Sequence, residues 1–150
     1  MLASFDSNVL IYAHLEPESI KGLAAVELLD RAGLAGAVIP AQVLGEFLWV
    51  VRRRRPDCYI DALELVETIP STMLVPSSTG DRMAKAARLT ERHKIQFWDA
   101  LICICAAVAG ATHLLSEDMQ NGAVLEGLRV INPFDPTNRP VLERLLPPLA

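Results

Sequence analysis

At 150 residues the chain has the length of one domain and can bury most of the apolar surface that its unfolded form exposes. Hydrophobic residues make up 51% and charged ones 21%, a balance that excludes intrinsic disorder. The net charge of −4 does not exclude a nucleic-acid partner, because the distribution of charge matters more than its sum: Arg52 to Arg55 run unbroken, and Arg82, Lys85, Arg88, Arg92 and Lys94 share one segment.

Leu2 to Phe5 is a short apolar run ending at Asp6 and predicts a buried strand. From Glu18 to Ala32, Leu23, Val26 and Leu29 fall on one helical stripe, with Gly33 as the expected stop. Ala37 to Ile39 predicts a second strand closed by Pro40, and Ala41 to Arg54 a strong helix ended by Pro56. Asp57 to Thr68 reads as a helix with Asp57 as N-cap and Ile60, Leu63 and Val66 facing inward. A third strand is expected at Met73–Val75, an amphipathic helix with a basic face at Thr79–His93, and a helix apolar nearly all round at Phe97–Ala109. Thr112–Leu115 and Leu128–Ile131 complete the strands. This alternation predicts an α/β protein with a mostly parallel sheet. Five of the ten prolines lie between Pro133 and Pro148, so residues 135–150 are expected as an irregular proline-rich arm, packed on or extending from a domain of residues 1–134.

The N-terminus lacks a basic run and meets an acid at Asp6, so it does not read as a signal peptide. The longest uncharged stretch, Ala100 to Ser116, is interrupted by Gly110, Thr112 and His113 and falls short of the ~20 apolar residues of a spanning helix. The three cysteines, Cys58, Cys103 and Cys105, argue for a reducing compartment, and a cytoplasmic location is expected. Cys103 and Cys105 lie two apart on a helix and point to nearly opposite sides, which rules them out as a zinc pair.

Four acids stand out. Asp6 follows a buried strand, where parallel sheets bind ligands, although a turn aspartate capping the next segment, helped by Ser7 and Asn8, would occupy the same place. Glu46 falls at the edge of the apolar stripe of Val43, Phe47, Val50 and Val51; it either serves a site or reaches out to solvent. Asp99 is the only charge between Ile95 and Ser116 and opens the most apolar helix, where an acid also complements the helix dipole. Asp118 lies just past a strand, as Asp6 does, with Glu117 directed elsewhere. If the strands carrying Asp6 and Asp118 are neighbours across a switch point, Glu46 and Asp99 can close the cluster from covering helices. Carboxylates ~5 Å apart repel by roughly 3 kcal/mol per pair at an effective dielectric near 20, so such a group binds cations or protons. Oxygen ligands without a His or Cys pair select Mg²⁺ or Mn²⁺ over zinc, and Mg²⁺ favours phosphate partners. Phosphodiester hydrolysis is the natural chemistry.

Arg53 lies seven residues beyond Glu46 on nearly the same helix face, with Trp49 between, and is the cation best placed to meet a substrate phosphate. His14, His93 and His113 have no ligand spacing among themselves, and His113 reads as a satisfied core or edge residue.

In order, Phe5-Asp6-Ser7-Asn8-Val9-Leu10, Glu46, Phe97-Trp98-Asp99-Ala100-Leu101-Ile102, Leu114-Leu115-Ser116-Glu117-Asp118-Met119-Gln120 and Ile131-Asn132-Pro133-Phe134 resemble the PIN-domain nucleases, and within them the VapC-type ribonuclease toxins of toxin–antitoxin pairs. The resemblance implies a single PIN-like domain with a five-stranded parallel sheet flanked by helices on both faces. It implies a metal-dependent endoribonuclease with a Mg²⁺ or Mn²⁺ site in which Asp6 and Asp99 are the main ligands, Asp118 a further one, and Glu46 completes the acidic pocket. Ser116 corresponds to a supporting Ser/Thr and Asn8 to a group behind the ligands. Asn121 stands where some relatives have another acid, which implies a weaker hold on a second metal. An RNA substrate, a small antitoxin protein that blocks the pocket, and a homodimer are the implied partners. Two other families begin with a strand followed by Asp. A haloacid-dehalogenase-like phosphatase needs a second acid two residues on, where this chain has Asn8. A receiver-type binding module needs paired acids after its first strand and a lysine after its last, where this chain has Asn132-Pro133. A non-catalytic PIN scaffold is the remaining alternative, although all four acids are present.

Overall fold

A computed structural model describes all 150 residues. The central strand is β1 (Ala3–Phe5), and every one of its residues is buried. It leads directly into α1 (Ser7–Leu15), which Asp6 caps by accepting a hydrogen bond from Ser7 N. This helix escapes periodicity arguments because its apolar residues do not gather on one side: Val9 to Ala13 are consecutive. What reads as a turn at Asp6-Ser7-Asn8 is therefore a helix start.

The next helix, α2 (Ile20–Ala35), begins at the Ser19 cap and runs through Gly33 to Gly36. Gly36 has φ +84°, which side-chain-bearing residues rarely adopt, and its N–H bonds Ala32 O to close the last turn, so it and not Gly33 is the stop. Helix α3 (Ala41–Arg54) follows Pro40 and buries Val43, Leu44, Phe47 and Val51. Asp57 does not cap the following helix. It pairs with Arg55 instead, Pro56–Cys58 form a 3₁₀ turn, and α4 (Tyr59–Thr68) starts afterwards. Ile60 is 62% exposed, contrary to its expected inward position, because the buried side of α4 is centred near Ala62, while Leu63 and Val66 remain half-buried. Thr79 caps the basic α5 (Gly80–Arg92), and α6 (Phe97–Val108) buries Ala100 to Ala106 without a break.

Past α6, β2 (His113–Leu115) pairs in parallel with β1, matching Phe5 to Leu115. A short β3 (Val124–Leu125) turns back through Glu126-Gly127 into β4 (Leu128–Ile131). Both turn residues have positive φ, 53° and 79°, as a tight hairpin requires. The sheet order is β1-β2-β4-β3, parallel except for β3. On the other side of β1, Ser4 bridges Val38, and Val38 bridges Leu74, both in parallel. The five parallel segments expected from the sequence are thus present in the order Leu74, Val38, β1, β2, β4. Only three of them are full strands, because Pro40 and Pro76 stop the outer two after single bridges. The helices flank this sheet: α1 packs on α2 and α3, and α3 on α4, while α5 packs on α6.

The proline-rich end is more regular than expected. After a 3₁₀ turn at Pro136–Asn138, α7 (Arg139–Leu145) forms with Pro140 in its first turn, where a missing N–H costs nothing. Leu142, Leu145 and Leu146 join the core, and Arg31 Nη1 donates to Leu146 O at 3.2 Å. No helix is long and apolar enough to cross a membrane.

Candidate active site

The chain leaves β1 to bridge outward through Val38 and Leu74, then returns to the other side of β1 as β2. That makes the gap beyond the carboxyl ends of β1 and β2 a topological switch point, the place where open α/β sheets bind ligands. Asp6 leaves the end of β1, and Ser116 and Asp118 leave the end of β2. Asp6 is 4% exposed. Its Oδ1 accepts from Ser7 N at 2.7 Å and its Oδ2 from Ser116 Oγ at 2.8 Å. Burial dominates these two bonds and, with the negative charges of Glu46 and Asp99, pushes the Asp6 carboxyl up to about 6.

Asn8 spans the cluster. Its Nδ2 reaches Asp6 Oδ2 at 3.4 Å, Asp118 Oδ2 at 3.3 Å and Ser116 Oγ at 3.5 Å. Its Oδ1 accepts from Glu117 N at 3.4 Å, so the amide ties the first turn of α1 to the loop after β2. Glu117 turns away from the site, as expected, to pair with Lys21. Asp118 is the exposed member of the group.

Asp99 sits in the first turn of α6, and Glu46 projects from the middle of α3. Partial burial raises the Asp99 carboxyl, and Glu46 and Asp118 raise it further by charge repulsion. The acids therefore act on one another in a connected set: Asp6 with Glu46 and Asp99, and Asp99 with Glu46 and Asp118. The structure places all four around the switch point, linked by these charge interactions and, between Asp6 and Asp118, by Asn8. Behind them Cys103 is buried, and burial with the charges of Asp6 and Asp99 pushes its thiol up to about 12, which leaves it inert at neutral pH.

Gln42 was not marked in the sequence. One turn before Glu46, its Nε2 donates to Glu46 Oε1 at 2.8 Å and to Trp98 O at 3.2 Å, joining α3 to the start of α6. Both partners are acceptors, which fixes the amide orientation and leaves Gln42 Oε1 buried without a donor. Its spacing of four from Glu46 was the available signal.

A groove of about 470 Å³ opens from Asp99 and Asp118, with His93, Lys94, Gln96 and Gln120 on its walls. Arg53, by contrast, projects from the end of α3, where its guanidinium lies 4.4 Å from the Trp49 ring centre.

No three carboxylate, imidazole or thiol groups are clustered tightly enough to enclose an ion by themselves. Mg²⁺ does not need such a cage, because it retains waters and takes one or two carboxylates together with substrate phosphate. A switch-point aspartate held against repulsion and neighbouring carboxylates suit that mode, and the unpaired Gln42 Oε1 suits a hydrogen-bonding hydration shell.

A family model for the PIN domain matches residues 4–120, from β1 through the loop that carries Asp118. The chain belongs to the PIN-domain family. Solved PIN-domain structures similar to it include VapC20 of Mycobacterium tuberculosis, described as a toxin that cleaves the sarcin-ricin loop. That likeness has 17% identity and a TM-score of 0.64, and covers 77% of this chain and 91% of VapC20. VapBC2 of Rickettsia felis, bound to a DNA fragment from its promoter, matches at 15% identity and a TM-score of 0.63 over 87% of this chain and 97% of the other. A toxin–antitoxin complex from Klebsiella pneumoniae matches at 18% identity and 0.62, again over 87% and 97%. At such identities the likeness establishes the shared fold. No curated protein sequence matches the chain significantly. PIN-domain nucleases generally use divalent metals.

Proposed function

We propose that this PIN domain is a Mg²⁺- or Mn²⁺-dependent endoribonuclease, the toxin of a type II toxin–antitoxin pair. The observation that carries the reading is Asp6: a nearly buried carboxylate at the switch point, raised to about 6 by burial and by the charges of Glu46 and Asp99, and joined to Asp118 through Asn8. Unpaired negative charge of this kind is costly to keep unless a cation relieves it. Asp6, Asp99 and Asp118 would hold the metal, and Glu46 would complete the pocket. When bound, the divalent ion supplies activation of the attacking water and neutralises charge on the phosphate.

The chain's own contribution is positioning. Ser116 and Ser7 N fix both oxygens of Asp6, and Asn8 holds Asp6, Ser116 and Asp118 in register. Gln42 orients Glu46 toward the start of α6. Lys94 brings the only permanent cation of the groove to within reach of an RNA backbone, and Arg53 supplies a second phosphate contact along α3. Residues 1–134 would form the catalytic unit, with 135–150 an arm packed upon it.

A small antitoxin protein and a second copy of the chain are the expected partners. The Rickettsia and Klebsiella structures, which hold both toxin and antitoxin, support the first. The decisive experiment is cleavage of RNA by the purified protein with Mg²⁺ or Mn²⁺ and with chelator, beside Asp6→Asn and Asp99→Asn. Activity that needs the metal and is lost in both variants supports the reading; equal cleavage by all three proteins overturns it.

A further inference from the structure

The chain contains two tryptophans, and both are more than half exposed: Trp49 at 60% and Trp98 at 51%. Tryptophan is usually well buried, so two open indoles on a small domain call for an explanation. Their positions supply one. Trp98 immediately precedes Asp99. Trp49 follows Glu46 by three residues, and Gln42, Glu46, Trp49 and Arg53 recur at the spacing of a single helix face. Gln42 binds both Glu46 and the Trp98 carbonyl, so the two indole-bearing segments meet at the acids. Each tryptophan is thus the open neighbour of a site carboxylate.

We propose that Trp49 and Trp98 are stacking platforms for unpaired RNA bases beside the acidic site, with Arg53 holding Trp49 in place. Arg53 lies 4.4 Å from the centre of the Trp49 ring, a cation–π contact that occupies part of the indole and steadies it while most of the residue stays open. Trp98 is braced edge-on by Phe97, with ring centres 4.9 Å apart. Arg52, Arg53 and Arg54 all lack an acidic partner among the ion pairs, and Arg53 follows Glu46 by seven residues, or about 10 Å along the helix. An indole held by a guanidinium at Trp49, with a second open indole at Trp98 across the acids, matches a single strand, whose bases stack and whose phosphates seek cations. Protein contacts also favour Trp and Arg, but three successive arginines with no acidic partner, beside the acids of a proposed nuclease site, complement a phosphate backbone. Bases inside a duplex are already stacked on one another, so these platforms select unpaired segments.

This inference rests on the ribonuclease reading, yet it is tested by binding and not by cleavage. Trp49→Phe and Trp98→Phe each leave a single reporter indole. Both proteins are titrated with a single-stranded RNA oligonucleotide and with its duplex, in chelator and in Mg²⁺, reading fluorescence at first mixing. The expected result is quenching of each remaining indole by the single strand, and far less by the duplex. Trp49→Ala and Trp98→Ala should each weaken single-strand binding by roughly 5- to 150-fold, while the phenylalanine variants retain most of it. Quenching of neither indole in either condition overturns the proposal, as does equal affinity of the alanine variants and wild type. Sedimentation of the same proteins covers the other use of the surface: a dimer that dissociates in the alanine variants, with RNA affinity unchanged, assigns the tryptophans to a protein contact and overturns it. If single-strand quenching occurs but no cleavage is found in any metal, the nuclease reading fails and the platforms stand.

Discussion

Replacing Asp6 with asparagine should make the metal-free protein more stable at alkaline pH, although it removes the central group of the proposed site. The carboxyl rises from its ordinary 3.8 to about 6 in the fold. Ionising it there costs about 3 kcal/mol more than in the unfolded chain, at 1.36 kcal/mol for each tenfold change in proton affinity. A group whose affinity for protons rises on folding helps the fold below its unfolded value, and that help is lost as pH climbs through the folded value. The penalty is therefore absent below pH 4 and complete above pH 7. Asparagine never ionises, but it returns part of the gain, because Ser116 Oγ then meets an amide in place of a carboxylate. A net advantage of about 1–3 kcal/mol at pH 8 corresponds to a melting temperature higher by roughly 2–12 °C. Near pH 4 the two proteins should melt together. Adding Mg²⁺ at pH 8 should reverse the order once it reaches about 1,000 times its Kd, where a ligand contributes about 4.1 kcal/mol to wild type and little to the variant. Thermal melts across pH 4–8, with and without metal, measure all of this. A variant that melts lower than wild type by the same amount at every pH refutes the reasoning. It would mean that Asp6 contributes through the hydrogen bonds it accepts from Ser7 N and Ser116 Oγ, which asparagine reproduces imperfectly, and not through its ionisation.

Other outcomes follow from neighbouring residues. Ser116→Ala removes a bond that favours the charged form of Asp6, so the acid limb of the kcat/KM profile should move to higher pH; an unmoved limb would separate the two groups. Glu46→Gln should reduce RNA cleavage less than Asp99→Asn, since Glu46 already shares its carboxylate with Gln42, and single-turnover rates would rank them. Lys94→Gln should raise KM several-fold with little change in kcat and flatten the salt dependence, as expected of a groove cation that meets phosphate. Leu146→Ala should cost about 2–5 kcal/mol in urea unfolding, because the side chain is fully buried near the very end of the chain.

Much of the site was legible because its acids break strong local patterns. Asp99 interrupts an apolar run, and Asp6 and Asp118 terminate buried strands, so each carries a visible electrostatic cost. Gln42 and the two tryptophans carry no such cost when exposed or amide-paired, and only their placement in space marks them. Helix α1 was hidden for a different reason: with apolar residues on all sides it has no stripe, and its cap looks like a turn. Leu142, Leu145 and Leu146 were masked by the surrounding prolines, although Pro140 falls where a helix accepts one. Ile60 faces outward because the buried side of α4 is centred near Ala62, about 160° round the helix, a phase that an apolar run of i, i+3, i+6 leaves open.

The pairing of β1 with β2 also governs when the protein can become active. Asp6 is translated well before Ser116, which holds one of its oxygens and lies 110 residues later. Until β2 has left the ribosome, the switch point has one wall, and Asp118 and Asn8 have nothing to align. Early contacts across Ser4 and Val38 can form, but they assemble the side of the sheet away from the cluster. A chain dominated by so distant a closure gains its site late. On the ribonuclease reading proposed above, the acids that would attack RNA are therefore not yet assembled while the nascent chain is still short of β2.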